Sequence, residues 1–315
     1  MLIVHDKAIY GSSCPGAMNL LRQLPPNATF NVAQQLRHPE SIYQLSLEKV
    51  GNKFCDVAEC YMERVRQYAG PSSPPVLEID DLVSRQQTLL HTLQEHVDEL
   101  WLILKTLVDP ATTSSSFLFA DKYVIASKLA GAKSFEQAIA PYKASLRIVN
   151  KLKHQQGYLR GVSMWTISGP HFGYFLEEPD SAGVLGPSPE IHPDQKASSF
   201  ARELLVHFMN VYMCSQKLQL AIQRALNSKG VNVKLAPHSG LPIWEKAVDS
   251  ALQIPDAFFP SEFRKGIPQV SRESGSGKLV MRLPRRIEPA QPRIVKVSCS
   301  TKIDGHSPTF KTPLI

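Results

Sequence analysis

Between residues 40 and 68, Tyr43, Leu47, Val50, Phe54, Val57, Tyr61, Val65 and Tyr68 recur every three or four positions. At about 3.6 residues per turn that spacing lines one face of an α-helix. Glu48, Lys49, Asp56, Glu59, Glu63 and Arg66 fall off the stripe. Gly70-Pro71-Ser72-Ser73-Pro74-Pro75 ends it, since proline has no N–H for the helical ladder. Residues 80–108 carry a second stripe: Val83, Leu89, Leu93, Val97, Leu100, Leu104 and Leu107. Leu90, Trp101, Ile103 and Val108 widen it, so this helix has neighbours on more than one side, and Asp109-Pro110 stops it. The short linker predicts that the two helices pack antiparallel.

Weaker periodicities predict helices at 117–129 and 134–154, separated by Gly131, with Ser134 as N-cap and Gln137 three residues on. Pro141 either kinks the second of these or opens a restarted helix, and Gly157 ends it. Residues 198–227 direct Phe200, Leu204, Phe208, Val211, Leu218, Ile222 and Leu226 inward, and 242–252 form a shorter helix. Aromatic and β-branched residues at 158–167 and 172–176 flank Ser168-Gly169-Pro170-His171, the pattern of a β-hairpin. Residues 1–10 suit a short strand, interrupted afterwards by Pro15, Pro25 and Pro26. Two β-like runs, 278–283 and 293–299, either pair as an edge hairpin or lie in a disordered tail.

The expected fold is therefore mainly α, with an all-α body: an up-and-down bundle of four to five helices. A β-hairpin at about 158–176 is inserted before the last long helix. The expected divisions are an irregular segment at 1–39, the bundle at 40–254 and a basic, Pro-rich extension at 255–315, peripheral to the bundle.

Composition adds limits. No apolar run approaches the ~18 residues of a membrane helix, and the N-terminus lacks the basic region of a signal peptide. Cys14, Cys55, Cys60, Cys214 and Cys299 are odd in number and form no C-x-x-C, which suits reduced core thiols in a cytoplasmic protein. The formal charge of +7 is uneven. Residues 261–315 hold eleven Lys/Arg against four Asp/Glu, so the rest of the chain is neutral. That tail either contacts nucleic acid or an acidic partner, or is a solvated extension.

Most motifs fail on inspection. Ser274-Gly275-Ser276-Gly277-Lys278-Leu279 lacks the leading glycine of a phosphate loop, has leucine where a hydroxyl should bind magnesium, and precedes a strand. There is no H-E-x-x-H, no G-x-S-x-G and no dinucleotide fingerprint. His91 and His96 stand five apart, on different faces of their helix, as polar or boundary residues. No metal or cofactor is expected.

One stretch carries a lead: Arg147-Ile148-Val149-Asn150-Lys151-Leu152-Lys153-His154. If one continuous helix advances about 100° per residue from Tyr142, Asn150 lies near ~80°, His154 near ~120° and Arg147 near ~140°. Three polar groups then share the border of the buried stripe. The stretch resembles the signature helix of HEPN proteins: Arg, a polar residue often Asn, three more residues, then His. Asn150-x-x-x-His154 matches the second half, while Val149 stands where the family has arginine. Arg85…His91 and Arg202…His207 also fit a loose R-x(4–6)-H spacing, but only Arg147 and His154 align along their helix.

The resemblance implies an antiparallel helical bundle. It also implies either a non-catalytic module that recognises nucleic acid, a nucleotide or a protein, or a metal-independent endoribonuclease acting as a homodimer. In the enzyme, His154 would be general acid/base and Arg147 would stabilise phosphate charge. In the module, Asn150, Lys151, Lys143, Arg285 and Arg286 are the binding candidates. A purely structural protein whose polar flank merely packs is the third alternative. None of these readings involves a membrane.

Overall fold

The computed structural model describes residues 1–69, 78–113, 119–154, 157–167, 169–237, 239–283, 294–299 and 311–315. Helix α1 (Lys7–Tyr10) follows strand β1 (Leu2–His5), and a short α2 (Ala17–Leu21) leads to α3 (Pro39–Gln67) and α4 (Asp80–Lys105). These two long helices coincide with the two strongest stripes. They run antiparallel, as the cross-links Ser46–His96, Asp56–Arg85 and Arg64–Asp81 show. The third segment yields α5 (Ala120–Ala126), then α6 (Ala132–Ser145) and α7 (Arg147–His154). Pro141 sits inside α6, and the break falls five residues later at Leu146. Gly131, left-handed at φ 90°, caps α6, and Ser134 does not. Helices α8 (Phe200–Asn227) and α9 (Pro242–Gln253) complete the set.

The strands require the larger correction. The molecule is 53% helix but 16% strand in two antiparallel sheets, so it is neither all-α nor a mainly α bundle with one hairpin. Strands β2 (Tyr158–Thr166) and β3 (Gly169–Pro179) form the expected hairpin, with Leu159 opposite Leu176 and Gly161 opposite Tyr174. That hairpin is the centre of a five-stranded antiparallel sheet. It adds β4 (Leu185–Pro187) and β5 (Ser198–Ser199) beside β3, and β8 (Ile294–Cys299) beside β2. A second sheet orders β1, β7 (Leu279–Arg282) and β6 (Gln269–Arg272). The two β-like runs of the tail thus do not pair with each other; each joins a different sheet. Strands β1, β7 and β8 fall in segments expected to be β-like, whereas β4, β5 and β6, of two to four residues, display no readable alternation and periodicity misses them.

Nor is the chain beyond Pro255 a peripheral extension. Phe258, Phe259, Glu262, Leu279 and Met281 are all buried. Even the last residues return to the body: Ala197 N–H donates to Leu314 O at 3.0 Å, and Leu314 N–H donates to Gln195 O at 2.7 Å. The tail covers a sheet face that would otherwise be wet. On one face of the β2–β3 hairpin, Leu159, Phe172, Tyr174 and Leu176 join the main core. There Phe172 meets Tyr61 and Tyr68 edge-on. On the other face, Val162, Met164 and Phe175 pack with Ala197 and Phe259. Both faces are buried, so the strands need covers that a helical bundle alone does not supply.

The linker 70–75, the first residues of the expected 117–129 helix, Gln155, Gln156, Arg285 and Arg286 lie outside the described residues. Among the described residues, no helix is long and apolar enough to cross a membrane. Cys14, Cys55, Cys60 and Cys214 are buried free thiols, and Cys299 is half-buried.

Candidate functional site

Leu146 decides where the sequence-predicted residues go. Its backbone leaves helical geometry at φ −84°, ψ 3° while its side chain is fully buried. Helices α6 and α7 are therefore not one continuous cylinder, and angles counted from Tyr142 do not carry into α7. Within α7 the polar face survives: Arg147, Asn150, Lys153 and His154 are exposed, while Ile148 and Val149 are buried. Val149 has no exposed surface. The position where a HEPN helix has arginine is here part of the core, and a guanidinium there would be buried among apolar groups at a large cost.

The two lysines expected to bind are already engaged. Lys151 Nζ lies 2.8 Å from Glu190 Oε2 and 3.3 Å from Glu178 Oε1. The bond to Glu190, followed by that to Glu178, raises the lysine pKa. Lys143 Nζ pairs with Asp121 Oδ2 at 3.1 Å. Arg147 and His154 are both exposed on α7.

The residues that do converge belong to the other loose match. At the start of α8, Arg202 Nη1 donates to Glu203 Oε1 at 3.2 Å. Glu203 Oε2 stands 3.7 Å from His207 Nε2. His207 Nδ1 lies 3.4 Å from the Tyr142 hydroxyl, and Gln86 Nε2 lies 3.3 Å from the Tyr174 hydroxyl. Burial lowers the His207 pKa and pushes both tyrosines well above their usual value. The cluster has polar atoms to spare, since Gln86 Oε1 and Arg202 Nε have no hydrogen-bond partner. Yet His207 is 2% exposed and Gln86 fully buried, so the cluster is closed to a polymer. Periodicity could have found it, because His207 falls between Leu204 and Val211 on the inward stripe of its helix. Nor is His96 a boundary residue: it is fully buried and bonded through Nδ1 to Ser46 Oγ at 2.6 Å. No group of His, Cys, Asp and Glu among the described residues could hold a metal ion.

A different surface emerges once the charges are placed in space. Residues 119–154 hold seven Lys/Arg and only two Asp/Glu. Two of the seven are neutralised, Lys143 by Asp121 and Lys151 by Glu178 and Glu190. Lys122, Lys128, Lys133, Arg147 and Lys153 are exposed and have no ion-pair partner among the described residues. Around Gly131 and Ser134, α6 and α8 enclose a cleft of about 110 Å³ into which α8 brings Lys217 and Arg224. These cations do not appear in the net charge of residues 1–260, because acidic side chains on α3 and α4 cancel them in the sum.

No protein-family model, curated protein or solved structure matches the chain.

Proposed function

We propose that the protein is a non-catalytic module that binds nucleic acid through the backbone phosphates, using the basic face of α5–α7 and the adjoining edge of α8. The carrying observation is the set of exposed, unpaired cations at Lys122, Lys128, Lys133, Arg147 and Lys153. Helix α6, with its 14 residues, separates Lys133 from Arg147 by roughly 20 Å, a span that takes in several consecutive phosphates of a strand. Lys217 and Arg224 extend the face into the α6–α8 cleft. Such contacts position a strand without reading its sequence. This is the binding-module alternative of the HEPN-like resemblance; the burial of Val149, where the family has arginine, favours it over cleavage.

Fluorescence anisotropy with a mixed-sequence single-stranded RNA and a duplex DNA of equal length tests the reading. Binding should weaken steeply with salt, and Lys128→Glu with Lys133→Glu should weaken it further. Each lost phosphate contact should lower the log–log salt slope by about 1. Lys246→Glu is the control, since Lys246 pairs with Glu59 at 2.6 Å away from this face. RNA incubated in chelator should stay intact, equally with the parent, Arg147→Ala and His154→Ala. Absence of binding at low salt, or equal binding by parent and Lys128/Lys133 variants, would sink the proposal.

A further inference from the structure

A second surface feature has the opposite character. Between the segment before α3, the N-terminal half of α3 and the C-terminal half of α4 lies an open groove of about 600 Å³. That volume falls within the ~300–1,000 Å³ usual for small-molecule sites. Its floor is apolar: Leu36, Ile42, Leu45 and Leu102. Leu45 on α3 is 38% exposed to the groove it lines.

Charges on the rim are unequal in their engagement. Lys49 Nζ is bound to Glu99 Oε1 at 3.1 Å, and Glu48 Oε1 accepts from Gln44 Nε2 at 3.0 Å. Arg37 is exposed and has neither a hydrogen-bond nor an ion-pair partner among the described residues. The rim that carries it is built in advance. Phe30 N–H donates to Thr106 O at 2.7 Å and Leu36 N–H to Asn31 O at 2.8 Å. Gln34 Nε2 reaches Val108 O at 3.1 Å and the Tyr123 hydroxyl at 3.0 Å. Gln35 adopts a left-handed φ of 55° immediately before Leu36 and Arg37. An apolar trough ending at one unengaged guanidinium on a pinned loop fits a ligand with a hydrocarbon body and a single carboxylate head.

We propose that this groove binds an amphipathic monocarboxylate, its hydrocarbon on Leu36, Ile42, Leu45 and Leu102 and its carboxylate on Arg37. The site is independent of the basic face of α5–α7, so either reading stands or falls without the other. The test is titration calorimetry of the full chain with decanoate, decanol and decyltrimethylammonium, each below its micellar concentration. Decanoate should bind one per chain, roughly tenfold or more tighter than the other two. Arg37→Gln should bring decanoate down to the level of decanol, and Leu45→Glu should abolish binding of all three. Both positions are exposed, so an unchanged melting temperature certifies the fold of each variant. Equal binding of the three head groups, a preference for the ammonium, undiminished decanoate binding in either variant, or the absence of saturable binding overturns the proposal.

Discussion

Ser199 donates both its backbone N–H, at 2.9 Å, and its hydroxyl to the carboxylate of Glu262, a residue 63 positions further along the chain. Phe259 N–H supplies a third hydrogen bond, at 2.9 Å. Ser199 is also the N-cap of α8, its hydroxyl oxygen accepting from Arg202 N–H at 3.4 Å. A carboxylate is thus buried, 2% exposed, at the positive end of a 28-residue helix, and it fastens the chain beyond Pro255 to the body. Glu262→Gln keeps the shape but turns an amide N–H₂ toward a donor that needs an acceptor. Leaving buried donors unmatched costs about 2–4 kcal/mol. Urea unfolding should show a loss of that size, with Glu262→Ala at least as large. A loss below about 0.5 kcal/mol, typical of a surface change, would mean that the contact does not hold this segment.

Gly173 sits where that same segment crosses the sheet. A Cβ on Gly173 would lie 2.3 Å from Phe259 Cε2 and 2.3 Å from the Ser198 carbonyl oxygen. Ser198 belongs to β5, which pairs with β3 at this point, so backbone as well as side chain blocks the space. Gly173→Ala should destabilise by about 3 kcal/mol through overpacking. Gly183→Ala makes the comparison. Nothing lies within 4 Å of its Cβ position, and only its left-handed φ of 75° is strained, which costs about 1 kcal/mol. Equal melting temperatures for the two variants would contradict the close approach at Gly173.

Amphipathic stripes of more than twenty residues located α3, α4 and α8 in the sequence, because a helix that buries one face must repeat every 3.6 positions. The hairpin was legible for the same kind of reason: aromatic and β-branched residues cluster on both sides of Gly169. What stayed hidden depends on distant partners. Strands β4, β5 and β6 are two to four residues long and carry no readable pattern, and the pairing of β1 with β7, both read as β-like, joins segments almost a whole chain apart. The break at Leu146 carries no glycine or proline, while Pro141, which does suggest a break, is accommodated inside α6. Of the predicted site, Arg147, Asn150 and His154 are exposed on α7. The cluster that converges, Arg202, Glu203 and His207, was visible as a spacing and passed over because its members do not align along the helix. They meet because Glu203 and His207 stand one turn apart on α8 and Arg202 donates to the neighbouring Glu203, a residue the loose Arg–His spacing does not include. Lys133 on α6 and Lys217 and Arg224 on α8 come from two helices far apart in sequence, so only the packing of α6 on α8 joins them.

Acid should unfold this protein through its buried histidines. Burial lowers the pKa of His96 and of His192 to about 4, and lowers those of His5, His171 and His207 as well. The folded state keeps these imidazoles neutral while the unfolded chain protonates them near its ordinary value of 6.5. Their contribution is therefore complete above about pH 6.5 and is lost as pH falls toward about 4, by up to about 1.4 kcal/mol per pH unit for each group. Glu262 works against this. Burial raises its pKa, so the folded state takes up its proton first and gains stability as pH falls toward its ordinary 4.5. Burial raises the Asp98 carboxyl as well, but two carboxylates offset at most two imidazoles and five imidazoles are lowered, so the histidines win. Urea midpoints should drop steadily from pH 7 to pH 4.5. His96→Leu isolates one contribution. At pH 7 it loses the hydrogen bond to Ser46 and is less stable than the parent. At pH 4.5 the parent must hold a neutral imidazole against protonation, and the variant has none to protect. The gap between the two should narrow by about 2–3 kcal/mol over that interval. A gap of constant size would show that His96 does not titrate on unfolding.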